Sequence, residues 1–396
     1  MTKPKLWKSL RSRYEEERPR RMLSLDGGGI RGLITLGILE KMEALVAEKT
    51  GLKLCNYFDY IAGTSTGAII AAGLARGMST SKLISFYRSC GKNMFEPSRL
   101  IERLKYFYKA DPLKAQLQKT FGEDTTLEPD DLKCLLLVVT RNVTTDSPWP
   151  ISSNPEAKYN EPGRGDCNLK IPLWQLVRAS TAAPVFFPPE TLQWDKKDQS
   201  KTFVFVDGGV TPFNNPAFLL YRMATEPAYR LGWTTGEKNL LLVSVGTGQA
   251  ESQGATAASP NRNLFSTMKE LPGELMYGIQ VDEDINCRTV GRCTHGSPLD
   301  REILDLVPRE PIDGGTLEQQ YAAPAIPLSK DLDRRFLYAR YNADLSRQGL
   351  SGLGFKGVDP AGIQKMDAVE NIDDLLAIGR AAGASVKASH FGPFLK

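Results

Sequence analysis

The stretch FDYIAGTSTGAIIAAGL, residues 58–74, decides the fold class. An apolar, strand-like segment runs into Gly63-Thr64-Ser65-Thr66-Gly67, and a helix of small residues follows at once. This G-x-S-x-G pattern is typical of a sharp strand-to-helix turn, where Gly63 and Gly67 leave room for an exposed serine hydroxyl. The helix N-terminus beside Ser65 would favour negative charge. The stretch predicts an α/β fold in which Ser65 is a candidate nucleophile, with a plain turn as the alternative.

Strand and helix signals alternate along the chain, which predicts an α/β protein with a mostly parallel central sheet. Lys133–Arg141 and Asn239–Gly248 are apolar runs of the kind found in buried parallel strands. No internal repeat and no clear domain boundary is visible. We expect three parts: a basic N-terminal arm (1–21), a catalytic core (22–250), and an extension of helices and loops (251–396) that packs on the same core and begins with a polar loop or lid.

The net charge of +4 is unevenly distributed. Residues 1–21 hold eight Lys/Arg and three Glu, so the remaining chain is close to neutral. Leu6, Trp7, Leu10 and Tyr14 share one helical face of this arm, as in a helix that lies on an anionic membrane surface. A solvated helix docked on the protein body is the alternative.

Several function classes are disfavoured by composition. The charged N-terminus lacks the apolar stretch of a signal peptide, and no apolar run reaches the ~20 residues of a membrane-spanning helix. Six scattered cysteines without metal-ligand spacing indicate reduced thiols, although Cys287, Cys293 and His295 lie close in sequence. We therefore expect a cytoplasmic protein that associates peripherally with a membrane.

A serine nucleophile needs a base, and the sequence offers few. The two histidines, His295 and His390, follow no recognisable core strand. Asp207 ends the apolar strand FVFVD and precedes Gly208-Gly209, which allow close backbone approach. Burial beside the serine would raise the pKa of this carboxyl and strengthen it as a base. Asp207 is the preferred candidate, and a simple Asp-Gly-Gly turn is the alternative.

The third motif is DGGGIRG, Asp26–Gly32, again between a strand and a helix. Adjacent glycines can direct several backbone N–H groups at one point, as an oxyanion hole requires. Arg31 adds a cation that could steady the loop. The same residues fit G-x-G-x-x-G through Gly27, Gly29 and Gly32, so nucleotide binding without hydrolysis is the rival function class. That class expects an acidic residue ~20 positions later, at the end of the next strand, whereas Asp59 comes too late and precedes the core of its strand.

Together, DGGGIRG, GTSTG, DGG and SVGTG resemble the patatin-like phospholipase family in residues and in order, over roughly residues 22–248. The resemblance implies a three-layer α/β/α patatin fold and a Ser–Asp dyad. It assigns Ser65 as nucleophile and Asp207 as general base. The remaining assignments are an oxyanion hole at Gly27, Gly28 and Gly29 with Arg31 beside it, and supporting glycines at Gly32, Gly63, Gly67, Gly208 and Gly209.

The resemblance also implies a function. We expect hydrolysis of fatty-acyl esters of membrane glycerolipids, with no metal or other cofactor and no DNA or RNA partner. Bacterial members include effectors switched on by cyclic oligonucleotides in antiphage defence, so such an activator is compatible with this chain. The sequence leaves open whether copies of the chain form a homo-oligomer.

Two further stretches invite a functional interpretation. Pro184–Pro189 (PVFFPP) would present Phe186 and Phe187 to a bilayer, or else pack them in the core. Arg334–Leu345 is amphipathic and predicts an ordinary helix, or an anion site through its three arginines, Arg334, Arg335 and Arg340.

Overall fold

A computed structural model describes residues 4–94, 106–195, 197–250, 264–297 and 333–395 of the chain. In these ranges nine strands form one mixed sheet. The strands are β1 (Arg20–Leu25), β2 (Tyr60–Thr64), β3 (Leu135–Asn142), β4 (Ser147–Ser152), β5 (Glu190–Asp195), β6 (Asp198–Asp207), β7 (Leu240–Val245), β8 (Arg292–His295) and β9 (Leu337–Tyr341). The polar loop or lid expected directly after residue 250 lies outside the described residues.

The α-helices surround this sheet. They are α1 (Arg11–Glu15), α2 (Gly32–Thr50), α3 (Leu54–Tyr57), α4 (Thr66–Ala75), α5 (Thr80–Met94), α6 (Asp111–Phe121), α7 (Leu173–Ser180), α8 (Ala217–Thr225), α9 (Leu264–Val290), α10 (Arg347–Gly352), α11 (Pro360–Ile363) and α12 (Ile372–Gly383). β4 lies within a polar, proline-rich stretch of the sequence, residues 145–166.

The strand order is β5-β6-β3-β2-β1-β7-β9-β8, with β4 also paired to β3. The six strands from β3 to β8 in this order run parallel to their neighbours. The antiparallel pairs are β3 with β4, β3 with β6, and β5 with β6. The sheet is therefore mostly parallel, as predicted.

Side chains alternate between the two faces of the central strands. In β1, Leu23 and Leu25 enter one hydrophobic cluster, which includes residues of α2, α4 and α7. Met22 points to the opposite face and enters a second cluster, which includes residues of α8. Because both faces of the central strands are buried under helices, these strands are mostly apolar, and the three-layer α/β/α arrangement is confirmed.

The N-terminal arm packs on the second of these clusters. Trp7, Leu10 and Tyr14 are buried there. Arg13 and Arg18 donate to the buried carboxylate of Asp59. The apolar face of the arm is thus covered by the protein body, so the alternative of a docked helix describes it better than membrane insertion does.

Residues beyond 250 also complete the sheet. β9 pairs with β7 in the stretch where the sequence suggested a helix. The helix prediction is wrong because all five residues of β9 are buried, on both faces of the strand. Arg340 of β9 is buried and pairs with Asp26, so it offers no open anion site.

The helix α12, also beyond residue 250, packs against α2 on one face of the sheet. The two helices cross so closely that a Cβ at Gly379 would overlap the carbonyl oxygen of Ile34.

Candidate active site

Ser65 lies at the turn between β2 and α4, with φ 55° and ψ −123°. This backbone conformation is strained for a residue other than glycine, and such strain concentrates at functional sites. A Cβ at Gly63 would overlap the Gly67 carbonyl, and a Cβ at Gly67 would overlap the carbonyl of Leu25. The two glycines are therefore required by the turn that presents Ser65.

Ser180, at the end of α7, stabilises the turn through a hydrogen bond. The Ser65 N–H donates to Ser180 Oγ at 2.9 Å. Ser180 Oγ in turn donates to the carbonyl oxygen of Val139 in β3, at 2.7 Å. This chain of two hydrogen bonds ties the strained turn to the centre of the sheet.

Asp207 reaches Ser65 because of an unusual strand arrangement. β4 occupies one edge of β3 over residues 137–142, so β2 and β6 must share the other edge. β2 ends opposite Val139 and β6 ends opposite Thr140, so the two strands meet end to end. Their ends place Ser65 Oγ 2.6 Å from Asp207 Oδ2, to which it donates a hydrogen bond.

The environment of Asp207 suits a base. Only 4% of the residue is exposed, and burial raises the pKa of its carboxyl to about 6. The hydrogen bonds from Ser65 and from the Gly209 N–H (2.7 Å, to Oδ1), together with the Arg178 charge, lower the pKa and partly offset this. The carboxylate is therefore ionised at neutral pH yet more basic than an exposed aspartate.

The loop Gly27–Gly29 approaches Ser65 from the end of β1. Gly28 and Gly29 line the cleft, and their N–H groups have no partner among the described residues. The Gly27 N–H instead donates to the carbonyl oxygen of Asn214 at 3.1 Å. We therefore assign Gly27 to shaping the turn, because its donor is already engaged.

Arg31 lies behind this loop and does not line the cleft. Its guanidinium donates to the carbonyl oxygens of Gly28 and Gly248, each at 3.4 Å. Burial lowers the pKa of Arg31 to about 10, so the side chain remains a cation at neutral pH. Arg31 therefore braces the glycine loop without lining the cleft. Gly32 begins α2 and packs against the Thr66 side chain.

The cleft above Ser65 is mostly apolar. Its walls include side chains from α4, α5, α6, the segment after α7 and the segment after α11: Ile69, Tyr87, Leu113, Phe187 and Met366. Phe187 is buried and Phe186 partly buried, so the core-packing alternative describes this pair better than full exposure does.

Neither histidine lines this cleft. The His295 and His390 rings stack with centroids 4.4 Å apart, and His390 Nδ1 pairs with the Tyr341 hydroxyl. Cys287 and Cys293 contribute to no metal-ligand group in the described ranges, where no cluster of three or more His, Cys, Asp or Glu is found.

Several residues at the site were not singled out from the sequence. Thr66, whose N–H has no partner within the described residues, follows Ser65 and begins α4. Asn214 and Met366 line the cleft. Asn214 follows Asp207 within the same loop, and this proximity is a signal that could have identified it. Met366 lies too far along the chain for any local signal.

In the ranges that the structure describes, no helix is both long and apolar enough to cross a membrane.

Comparison with known proteins gives one matching family, described as patatin-like phospholipase, over residues 23–221, half of the chain. The cGAMP-activated phospholipase of Vibrio cholerae is 33% identical over 214 residues, which cover 50% of this chain and 56% of that protein. The cGAMP-activated phospholipase of Escherichia coli is 33% identical over 215 residues, which cover 51% of this chain and 55% of that protein.

A plant protein matches a slightly longer region. Patatin-T5 of Solanum tuberosum is 30% identical over 243 residues, which cover 57% of this chain and 60% of that protein. The chain thus spans little more than half the length of the curated relatives that it matches. The family match extends from β1 into α8 and includes the glycine loop, Ser65 and Asp207. This chain belongs to the patatin-like phospholipase family.

Proposed function

We propose that the chain is a lipid acyl hydrolase of the phospholipase A type, with Ser65 as nucleophile and Asp207 as general base. The observation that carries this proposal is the 2.6 Å hydrogen bond from Ser65 Oγ to Asp207 Oδ2 at the floor of an apolar cleft. The match to patatin-like phospholipases supports the substrate class.

The reaction follows from this contact. Asp207 accepts the proton of Ser65 as Oγ attacks the carbonyl carbon of a fatty-acyl ester. The resulting tetrahedral oxyanion collapses, the bond to the alcohol breaks, and the leaving lysolipid oxygen takes the proton from Asp207. Water then hydrolyses the acyl-enzyme, which releases the fatty acid and restores Ser65.

The oxyanion is stabilised by backbone donors. The N–H groups of Gly28, Gly29 and Thr66 belong to residues that line the cleft and have no partner in the described structure. Thr66 is also the first residue of α4, so the helix dipole adds to the stabilisation. Gly27 and Arg31 contribute by holding the loop in place, since their donors bond to carbonyl groups of the protein.

The proposal is tested by fatty-acid release from phosphatidylglycerol–phosphatidylethanolamine vesicles. Wild type should release fatty acid, and Ser65→Ala should reduce the rate by about 10³-fold or more, since it removes the nucleophile. Ser85→Ala, at an exposed serine of α5, is the matched control and should keep the wild-type rate. Equal release by wild type and Ser65→Ala contradicts the proposal.

The rival function, nucleotide binding through Gly27, Gly29 and Gly32, has less support. The Gly27 N–H donates to Asn214, and the Gly32 N–H donates to the carbonyls of Gly29 and Ile30. Two of the three fingerprint glycines therefore have no free amide for a pyrophosphate.

Peripheral membrane association is part of the proposal. Two side chains that line or border the cleft are exposed and apolar: Val185 (57%) and Val210 (40%). Phe107 (47% exposed) lies beside Val185, since its N–H donates to the Val185 carbonyl. We infer that this cleft rim contacts the bilayer from which a lipid enters.

Vesicle co-sedimentation tests the rim. Phe107→Ser should weaken binding to vesicles about threefold to tenfold, because it removes an apolar side chain from the contact. Tyr159→Ser is the matched control, since Tyr159 is exposed to a similar degree (53%) but does not line the cleft. Equal losses in both variants would contradict a rim-specific contact.

Activation by a cyclic oligonucleotide is a second and more specific part of the proposed function. Two relatives at 33% identity are named cGAMP-activated phospholipases. We propose that this chain is gated in the same manner, as an effector that degrades membrane lipid in antiphage defence. The vesicle assay, repeated with a panel of cyclic dinucleotides and trinucleotides, should show at least a tenfold increase with one of them. Unchanged rates with every nucleotide contradict the gating but leave the hydrolase proposal standing.

A further inference from the structure

The side-chain amide of Asn214 is fully buried and lines the cleft beside Ser65 and Asp207. Neither its Oδ1 nor its Nδ2 has a hydrogen-bond partner within the part of the chain that the structure describes. Buried polar side chains in native proteins are nearly always hydrogen-bonded, to protein or to water. An amide in this position is therefore open to a partner that enters through the cleft.

Two glycines fix where the amide lies. A Cβ at Gly209 would be 2.9 Å from Asn214 Oδ1 and 3.1 Å from Asp207 Oδ1. A Cβ at Gly27 would overlap Asn214 Oδ1 and lie 3.1 Å from the Cβ of Ser65. The amide oxygen thus borders the same space as the carboxylate and the nucleophile, and the glycines keep that space open.

The backbone of Asn214 is anchored as well. Its carbonyl oxygen accepts the Gly27 N–H at 3.1 Å, which links the loop after β6 to the glycine loop after β1. The adjacent Asn215 is equally buried but has a different role, since its Oδ1 accepts from Ser244 Oγ and from the Ala217 N–H, both at 3.2 Å. Asn215 therefore stabilises the loop, whereas the side-chain amide of Asn214 lines the cleft without a partner in the described structure.

The second half of the reaction needs such a group. Once Ser65 Oγ is acylated, it no longer donates to Asp207 Oδ2, and this oxygen can accept from water. The carboxylate takes one hydrogen of that water, while the other needs an acceptor to fix the direction of attack. In the described structure no histidine lines the cleft to assist.

We propose that Asn214 positions the hydrolytic water of deacylation, a role that rests on the proposed function. Asn214 Oδ1 accepts one water hydrogen and Asp207 accepts the other. The water oxygen forms a bond to the acyl carbonyl carbon as its proton passes to Asp207. The oxyanion then collapses, the bond to Ser65 Oγ breaks, and Ser65 takes the proton back from Asp207 as the fatty acid leaves.

Rapid mixing with a p-nitrophenyl fatty-acyl ester separates the two half-reactions. Asn214→Ala should give a burst of about one nitrophenol per enzyme, followed by turnover at least tenfold slower than wild type. Its rate of inactivation by a fluorophosphonate should equal the wild-type rate, because that reaction needs only attack by Ser65. Full labelling by the fluorophosphonate also establishes that the variant is folded.

Three further variants make the result decisive. Asn215→Ala is the matched control and should lower the melting temperature without producing a burst. Asn214→Asp keeps an acceptor oxygen, so it should recover part of the deacylation rate, with its pH dependence displaced upward because a second carboxylate faces Asp207. Ser65→Ala should give neither burst nor turnover.

The outcomes distinguish the two proposals. If Asn214→Ala slows fluorophosphonate inactivation as much as turnover, or turns over like wild type without a burst, the water-positioning role is wrong. If Ser65→Ala releases nitrophenol as wild type does, the proposed function itself fails.

Discussion

Burial of a single carboxyl sets the pH dependence expected of the proposed hydrolase. Asp207 accepts a proton only when ionised, and its pKa is raised to about 6 by burial. The kcat/KM for ester hydrolysis should therefore fall about tenfold per pH unit below pH 6 and level off above it. A pH–rate profile from 4.5 to 8.5, with melting curves as the folding control, measures this. A profile that is flat across this range would exclude Asp207 as the base.

The same burial affects stability. The folded carboxyl retains its proton up to about pH 6, whereas an unfolded aspartate loses it near 3.8. The folded state therefore binds more protons between these values, and stability falls as pH rises through this interval, by roughly 3 kcal/mol. Asp207→Asn removes the ionisation, so it should be more stable than wild type at pH 8.

Urea unfolding of wild type and Asp207→Asn at pH 8 and pH 4 measures the effect. The other titratable groups ionise alike in both proteins, so their contributions cancel in the difference. The difference in the free energy of unfolding, variant minus wild type, should be more positive at pH 8 than at pH 4. A difference that is equal at both values contradicts a raised pKa for Asp207.

Residue types and positions were sufficient to single out Ser65 and Asp207, which the structure brings within hydrogen-bond distance. Ser65 and Asp207 each follow an apolar strand, and the ends of such strands are where α/β folds place their sites. The burial of Asn214 and the engagement of the Gly27 N–H depend on how two distant loops pack. No local pattern encodes that packing, so the donor set could not be assigned from the sequence.

At the scale of elements, the cleft rim contains a strained residue. Val185 has φ 73°, a conformation that a β-branched residue rarely adopts, and it is 57% exposed. Val185→Gly should raise the free energy of unfolding by about 1 kcal/mol, because glycine adopts this φ without strain. The same change should weaken vesicle binding, because an apolar side chain is lost from the rim.

Chemical denaturation and vesicle co-sedimentation of this variant give the two readouts. Gly163→Val is the matched control. Gly163 has φ 89° and no atom within 4 Å of a Cβ placed there, so valine would be strained but would not clash. This variant should destabilise the fold without affecting vesicle binding. Loss of stability in Val185→Gly would contradict the strain argument.

A buried ion pair joins β9 to the glycine loop. Arg340 donates to both carboxylate oxygens of Asp26, the residue before Gly27, and both partners are buried. Arg340→Met leaves the Asp26 charge buried and unpaired, which should cost about 3–5 kcal/mol. Ester hydrolysis should also fall, because the loop proposed to supply the oxyanion donors loses its support.

A double-mutant cycle tests this contact. Asp26→Asn combined with Arg340→Met removes both charges and should recover much of the stability lost in Arg340→Met. Urea unfolding of the four proteins gives the coupling energy. Additive losses would contradict a direct pairing. The sequence suggested a helix here because arginines are interspersed with apolar residues in an amphipathic pattern, whereas β9 is buried on both faces and forms a strand.

For the whole molecule, the described residues beyond 250 belong to the same sheet and core as those before it. β9 continues the sheet from β7, Met366 reaches the cleft, and the Ile30 N–H donates to the Met366 carbonyl at 2.8 Å. We therefore propose that residues 22–250 need the extension (251–396) in order to fold. The sequence predicted that the extension packs on the same core but not that it adds strands to the sheet, because short strands such as β8 and β9 have little pattern of their own.

A chain that ends at residue 250 tests this dependence. Without β9 and α12, apolar side chains such as Leu241 and Val243 in β7, and Ile38 in α2, lose their neighbours and face water. The truncated chain should show no cooperative thermal transition and no ester hydrolysis. Co-expression of residues 251–396 as a separate chain should restore part of both, because β9 can still pair with β7. A truncated chain that melts cooperatively and hydrolyses esters at the wild-type rate would establish instead that residues 1–250 form an independent catalytic domain.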